Sequence, residues 1–131
     1  MNIDDIEVLR PTCVMVIESE KAILYAHFEK NPLADALKEK LNEGPVALAT
    51  ENNDGNAAVG ILPWELPKND APLKTKPGDV IVSRGNRITV CFDEKDFSGT
   101  VLARVGSSIE RLVDALGGKE AKMKLGLEWG E

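Results

Sequence analysis

The stretch from Pro77 to Asp93 constrains the fold more than any other part of the chain. Two runs rich in β-branched residues flank Gly85-Asn86, a pair that tolerates the positive φ angles of a two-residue hairpin turn. Pro77-Gly78 sets a sharp entry into the first run. Alternate apolar residues of the second run share one face because side chains alternate along a strand: Ile88, Val90 and Phe92. The pattern predicts a β-hairpin within a larger antiparallel sheet.

The remaining segments supply further strands and two well-delimited helices. A second hairpin is predicted over Thr12–Phe28, and the alternation of Lys119–Trp129 predicts a closing strand. The first helix is predicted to begin at Asn31-Pro32, an N-cap followed by proline, and to end at Gly44-Pro45. The second follows a capping box at Ser107. About eight short strands and two helices predict a mainly β fold, a closed, mostly antiparallel, eight-stranded barrel capped by two α-helices.

Composition bounds the domain organisation and the partners. The 131 residues, 43% hydrophobic and 29% charged, suit one domain over residues 1–131, with residues 1–10 as an arm or an edge strand. The net charge of −6 opposes binding to a phosphate backbone, so no nucleic-acid partner is expected. No export signal or membrane span is apparent, and a cytoplasmic protein is expected. Cys13 and Cys91 are therefore predicted to be buried free thiols.

A proline-rich connection follows the middle of the chain. Residues 63–79 contain four prolines, which exclude a helix and predict an ordered but irregular loop of a kind that often carries function. Trp64 lies in this loop and has two interpretations. It anchors the loop to the barrel, which is the favoured interpretation for a large aromatic side chain, or it forms the wall of a pocket.

Cations are concentrated around the central hairpin of this acidic chain. From Lys68 to Arg87 there are five basic and two acidic residues. One hypothesis is that Arg84 and Arg87, which flank the Gly85-Asn86 turn, bind a carboxylate or phosphate together. The alternative, favoured on general grounds, is an edge hairpin that its cations protect from pairing with another chain.

Other potential sites have ordinary structural explanations. The single histidine, His27, has no nucleophile or orienting carboxylate nearby in sequence, so we expect a solvent-facing or hydrogen-bonded strand residue. Residues 51–56 lack the spacing of an EF-hand loop and predict a polar turn. No cluster has the spacing of metal ligands, and no phosphate-binding or dinucleotide fingerprint occurs, so no metal and no cofactor are expected.

Four stretches occur in the order found in the cyclophilin fold. Val14–Leu41 resembles that family's opening hairpin and proline-started helix, and Pro77–Phe92 resembles its glycine-led strand, turn and apolar strand. Val101–Val105 and the helix that follows it resemble the late strand and second helix. The chain is most similar to small bacterial and archaeal cyclophilin-like proteins of unassigned function, in which an Asn-Pro helix start and a Gly-Asp strand start recur, here Asn31-Pro32 and Gly78-Asp79.

The resemblance also has departures that bear on function. In true cyclophilins the strand after the first helix carries a Phe-His-Arg motif whose arginine stabilises the twisted prolyl amide, whereas Val46–Glu51 contains no arginine. At the aligned turn, Arg87-Ile88 replaces the family's glutamine-phenylalanine pair, and no aromatic set forms a proline pocket. The resemblance therefore implies the fold without efficient isomerase activity, since fold alone does not imply function.

Three functions remain open at this point. The first is a binding domain in which Trp64, Arg84 and Arg87 hold a small anionic ligand or a short peptide. The second is a weak peptidyl-prolyl isomerase in which Arg84, Arg87 or Arg104 replaces the missing arginine. The third is a non-enzymatic assembly protein, since Ala57–Leu62 predicts an apolar edge that would pair with a second copy in a homodimer.

Overall fold

The computed structural model describes residues 12–52, 57–106, 109–117 and 120–130. The predicted arm at residues 1–10, the centre of the polar turn at 53–56 and the capping box at Ser107 lie outside these ranges. Within the ranges the chain forms nine strands and two helices. In chain order they are β1 Thr12–Ser19, β2 Ile23–Phe28, α1 Pro32–Asn42, β3 Val46–Asn52, β4 Ala57–Ile61, β5 Ala71–Lys74, β6 Asp79–Ser83, β7 Arg87–Cys91, β8 Asp96–Val105, α2 Ile109–Leu116 and β9 Glu120–Gly130.

Eight of these strands close into an antiparallel barrel. Their order is β2-β1-β9-β3-β4-β7-β6-β8, and β8 pairs back with β2 through Ala26 and Val105. The prediction of a mainly β fold with a closed, antiparallel, eight-stranded barrel and two helices is confirmed. The prediction of an irregular connection over 63–79 is wrong at β5, which pairs with β8 outside the barrel. Its Pro72 is compatible with a strand because β5 lies at an edge of its sheet.

The core follows from strand alternation and from the leucine stripe of α1. Met15 and Ile17 of β1 alternate with outward residues, as do Met123 and Leu125 of β9. The leucines of α1, Leu33, Leu37 and Leu41, join the same cluster. The Asn31 Oδ1 accepts the Ala34 N–H at 2.8 Å, which confirms the predicted N-cap. The largest fully buried side chains are Met15, Ile17, Leu24, Leu37, Ile81, Ile88, Leu102, Leu112, Leu116, Met123 and Leu125.

The central hairpin forms as predicted, but its turn is one residue longer than predicted. Ser83 pairs with Arg87, so three residues connect the strands, and positive φ occurs at Arg84 (54°) and Gly85 (82°). The predicted two-residue turn at Gly85-Asn86 is therefore wrong. Long-range contacts provide the reason, because the Arg84 N–H donates to the Asp70 carboxylate at 3.0 Å and two loop amides donate to the carbonyl oxygens of Gly85 and Asn86.

The entry to β6 joins three strands. Gly78 has φ 94°, its N–H donates to the Cys91 carbonyl oxygen at 2.9 Å, and its own carbonyl oxygen accepts the Val105 N–H at 2.7 Å. The next residue, Asp79, is buried, and its Oδ1 lies 3.3 Å from Nε of Arg104. The Gly-Asp pair therefore fixes β6 between β7 and β8.

The predicted apolar edge at Ala57–Leu62 is wrong. Strand β4 lies inside the sheet and pairs with β3 on one side and β7 on the other. Barrel closure removes this edge, because each of the eight barrel strands has at least two neighbours. Among the described residues, β5 is the strand with a single partner. None of the described helices has both the length and the apolar character needed to cross a membrane.

Candidate functional site

Trp64 is half-buried, packs against the core cluster and also forms one wall of an open cleft. Both sequence interpretations of this residue therefore hold in part. The cleft measures about 330 Å³ and lies between the end of α1 and the loop after β4. The Nζ atom of Lys40 lies 5.9 Å from the centre of the Trp64 ring, within the range of a cation–π contact. The lining residues are Lys40, Glu43, Gly44, Pro45, Val46, Pro63 and Trp64.

The second part of the site is the arginine turn, which we define as residues 84–87. Arg84 occupies a left-handed backbone conformation and Arg87 begins β7, and both side chains are exposed. Neither guanidinium of the arginine turn forms an ion pair with a carboxylate of the described residues. The positive charge predicted at this hairpin therefore lies on exposed side chains.

Backbone hydrogen bonds connect the two parts. The Leu62 N–H donates to the Asn86 carbonyl oxygen and the Leu66 N–H donates to the Gly85 carbonyl oxygen, each at 2.7 Å. The loop that carries Trp64 is thus fixed to the arginine turn on both sides of the tryptophan. However, neither Arg84 nor Arg87 lines the Trp64 cleft, where the cation is Lys40. The predicted trio therefore occupies two adjoining surfaces and does not form one pocket.

The outward face of β3, β4 and β7 lies beside the arginine turn. On β3 the exposed side chains are Ala47, Ala49 and Glu51, which alternate with inward residues. Ile61 of β4 is 53% exposed and pairs directly with Arg87 of β7. This face therefore combines small side chains, one large exposed aliphatic group and one arginine.

The other candidate residues lie elsewhere on the barrel. His27 is exposed on β2, as expected for a solvent-facing strand residue. Arg104 is held by two carboxylates, with its Nε 3.0 Å from Glu29 Oε1 and 3.3 Å from Asp79 Oδ1. Both cysteines are free thiols. Cys91 is buried and Cys13 half-buried, and burial raises the pKa of both, that of Cys91 to about 12.

Two lysines of this region were not predicted as site residues from the sequence. Lys40 lies in the last turn of α1, four residues before Gly44-Pro45, and that position is typical of a cation that complements a helix C-terminus. Nothing in this signal indicates that Trp64 would approach it. The Cγ and Cε atoms of Lys68 lie 3.4 and 3.5 Å from the position that a Cβ on Gly85 would occupy, so this lysine packs on the arginine turn. Lys68 was noted only as part of the local charge.

The comparisons agree with this architecture. The chain matches the Cyclophilin-like family over residues 17–128, which is most of its length. The chain belongs to the Cyclophilin-like family. The matched range of this cyclophilin-like chain begins within β1 and ends within β9, so it includes the whole arginine turn and the Trp64 cleft. No curated protein matches the chain.

Proposed function

We propose that this cyclophilin-like chain is a binding module that holds a small anionic molecule or a short peptide on the surface between Trp64 and the arginine turn. The observation that supports the proposal is the pair of 2.7 Å backbone hydrogen bonds that fixes the tryptophan loop to a turn with two exposed arginines. Such a surface offers an aromatic wall and two cations on a backbone that does not need to rearrange. Preorganisation of this kind lowers the cost of binding.

We also propose that the module lacks efficient prolyl isomerase activity. The strand that carries the catalytic arginine in true cyclophilins corresponds to β3, whose outward side chains are Ala47, Ala49 and Glu51. None of these groups can donate a hydrogen bond to a twisted amide. Loss of the arginine removes the electrostatic stabilisation on which that reaction depends.

A thermal-shift screen against anionic metabolites and short peptides tests the binding function. A ligand held at a hundred times its dissociation constant stabilises the folded state by about 2.7 kcal/mol. Trp129→Phe leaves Trp64 as the sole tryptophan, because the chain has two. The fluorescence of this variant then reports binding at the cleft. The matched variants are Trp64→Leu, Arg84→Gln with Arg87→Gln, and the charge control Lys21→Gln in the β1–β2 turn.

We expect a ligand whose affinity falls in the arginine double variant and stays unchanged in Lys21→Gln. A ligand that is insensitive to both Trp64→Leu and the arginine variants would place binding elsewhere and refute the proposal. A screen in which no compound or peptide stabilises the protein would also count against the proposal.

A weak isomerase is the second candidate. Of the three arginines that could replace the missing one, Arg87 has the most suitable position. Arg87 lies on the outward face beside Ile61, whereas Arg104 is engaged by two carboxylates and Arg84 lies in the turn itself. Catalysed cis-to-trans conversion of a proline peptide that is lost in Arg87→Gln would establish this activity. Conversion at the uncatalysed rate would exclude it.

Several finer expectations stay predictions. They are that residues 1–131 form one domain, that the two helices cap the open ends of the barrel, that the protein is cytoplasmic, and that it forms a homodimer. The homodimer no longer has the support of a β4 edge, because β4 is paired on both sides. Analytical ultracentrifugation over a range of concentrations tests it.

A further inference from the structure

Two cations, Arg84 and Arg87, belong to the arginine turn. A third, Lys68, lies beside it and was not predicted as a site residue. The Lys68 side chain packs against Gly85, next to Arg84, and Arg87 follows two residues later. The carboxylate that contacts the turn is that of Asp70, and its Oδ2 accepts the backbone N–H of Arg84 at 3.0 Å. Three cationic side chains therefore lie on or beside this turn.

These cations share one sign of charge and have no ion-pair partner among the described residues. The chain has 22 acidic residues, yet no described carboxylate forms an ion pair with Lys68, Arg84 or Arg87. The three side chains carry the same charge on and beside one turn, and like charges repel. A bound anion removes that repulsion and gains charge-assisted hydrogen bonds.

The backbone of Arg84 carries a second cost. Its φ of 54° lies in the left-handed region, where a residue with a Cβ is strained and glycine is not. The hydrogen bonds from Leu62, Leu66 and Arg84 itself hold the turn in this shape. Strain of this kind clusters at functional sites, where the surrounding structure determines it. An exposed arginine is thus held at a position that would suit glycine better.

An apolar surface adjoins the cations. Ile61 is 53% exposed and pairs with Arg87 across β4 and β7. A ligand that reaches the guanidinium of Arg87 therefore also meets an aliphatic side chain. The site suits a ligand with a compact anionic group joined to an apolar body.

We propose that Lys68, Arg84 and Arg87 bind the phosphate group of a phosphomonoester whose apolar part lies on Ile61. This inference rests on the proposed binding function and names its ligand class. A phosphomonoester carries close to two negative charges at neutral pH and has three strong acceptor oxygens, which suit the three cationic donor groups. A carboxylate neutralises one charge and offers two oxygens.

Isothermal titration calorimetry at neutral pH and low salt tests the inference with two probes that differ in charge. Phenyl phosphate is a dianion, and phenyl sulfate has the same ring and a single charge. We expect phenyl phosphate to bind at least about tenfold more tightly, because its second negative charge strengthens the hydrogen bonds to the three cations. A short peptide with phosphotyrosine is the second source of the same chemistry. Tighter binding of the peptide than of phenyl phosphate identifies a protein ligand, and equal or weaker binding identifies a small molecule.

Arg84→Gly is the decisive variant because it removes the cation and relieves the backbone strain together. We expect a melting temperature equal to or above that of the unmodified protein and an affinity for phenyl phosphate at least about tenfold lower. Lys68→Gln and Arg87→Gln are expected to weaken binding in the same way, and Lys21→Gln to leave it unchanged. A melting temperature that does not fall in Arg84→Gly shows that the variant is folded, so that loss of binding is not a result of unfolding.

Equal affinity for phenyl phosphate and phenyl sulfate, or phenyl phosphate binding that survives all three substitutions, would overturn the inference. If phenyl phosphate does not bind while a carboxylate ligand from the screen binds and depends on Arg84, the proposed function holds and the phosphate assignment is wrong. If neither an anion nor a short peptide from the screen binds, both are wrong.

Discussion

Gly78 allows β6 to pass between β7 and β8, and replacing it with alanine is expected to lower the free energy of unfolding by about 3–4 kcal/mol. Its φ is 94°, and a Cβ there would lie 2.5 Å from the Val105 carbonyl oxygen. A left-handed residue with a Cβ costs about 1–2 kcal/mol. Relief of the overlap would also displace the backbone hydrogen bonds of Gly78 with Cys91 and Val105, each contributing about 1 kcal/mol.

Alanine substitutions at three other glycines separate the cost of the backbone conformation from the cost of the steric overlap. A Cβ on Gly106 would meet no atom within 4 Å, and Gly106→Ala is the neutral control. Gly44 has φ 150° but open space, so Gly44→Ala measures the backbone contribution alone. Gly99→Ala measures the steric one, because its Cβ would lie 2.7 Å from the Val82 carbonyl oxygen at an ordinary φ. Urea unfolding followed by circular dichroism gives each value by linear extrapolation. A Gly78→Ala protein within about 1 kcal/mol of Gly106→Ala would refute the reasoning.

Three further predictions concern a cap, a buried carboxylate and a thiol. Asn31→Ala removes the α1 N-cap and a 2.9 Å bond to the Val101 carbonyl oxygen, and should lower the unfolding free energy by about 1–2 kcal/mol, whereas Asn31→Asp keeps the cap acceptor and should lose less. Asp79→Asn weakens the contact of a carboxylate, 3% exposed, with Arg104 and should cost about 1–3 kcal/mol in the same urea assay; no change would mean that the pair contributes nothing. Burial raises the pKa of Cys91 to about 12 from its usual 9.0, so the folded state should lose stability as pH rises above 9 towards 12. At neutral pH, iodoacetamide should leave Cys91 unmodified in the folded protein; rapid labelling, detected by mass spectrometry, would contradict this.

The parts of the fold that sequence predicted are those with local signals. Asn31-Pro32 marks the start of α1 because an N-cap acts on the amide three residues later. The β-branched runs on either side of Gly85 predict a hairpin because the pleat repeats every two residues. The barrel and its closure followed from counting such elements and from a likeness in their order, and the family match agrees with both.

The errors all arise from contacts between distant parts of the chain. The Asp70 carboxylate and the amides of Leu62 and Leu66 fix the turn at Arg84–Asn86, and no local rule contains those partners. Strand β5 forms against Asp96–Gly99 of β8 in spite of Pro72, because an edge strand does not need every amide. The division of the predicted site has the same origin, since only tertiary packing brings Lys40 to Trp64 and Lys68 to Gly85.

Closure of the barrel also limits how this chain can recognise a partner. Strand addition requires an open edge, and within the described residues the one strand with a single neighbour is β5, which is four residues long and includes Pro72. Proline offers no N–H to an added strand, so this edge is protected. Among the described residues, outward side chains are then the groups left for recognition. Ile61 and Arg87 place an exposed aliphatic group beside an exposed arginine at paired positions, which is why we propose a ligand with both an anionic and an apolar part.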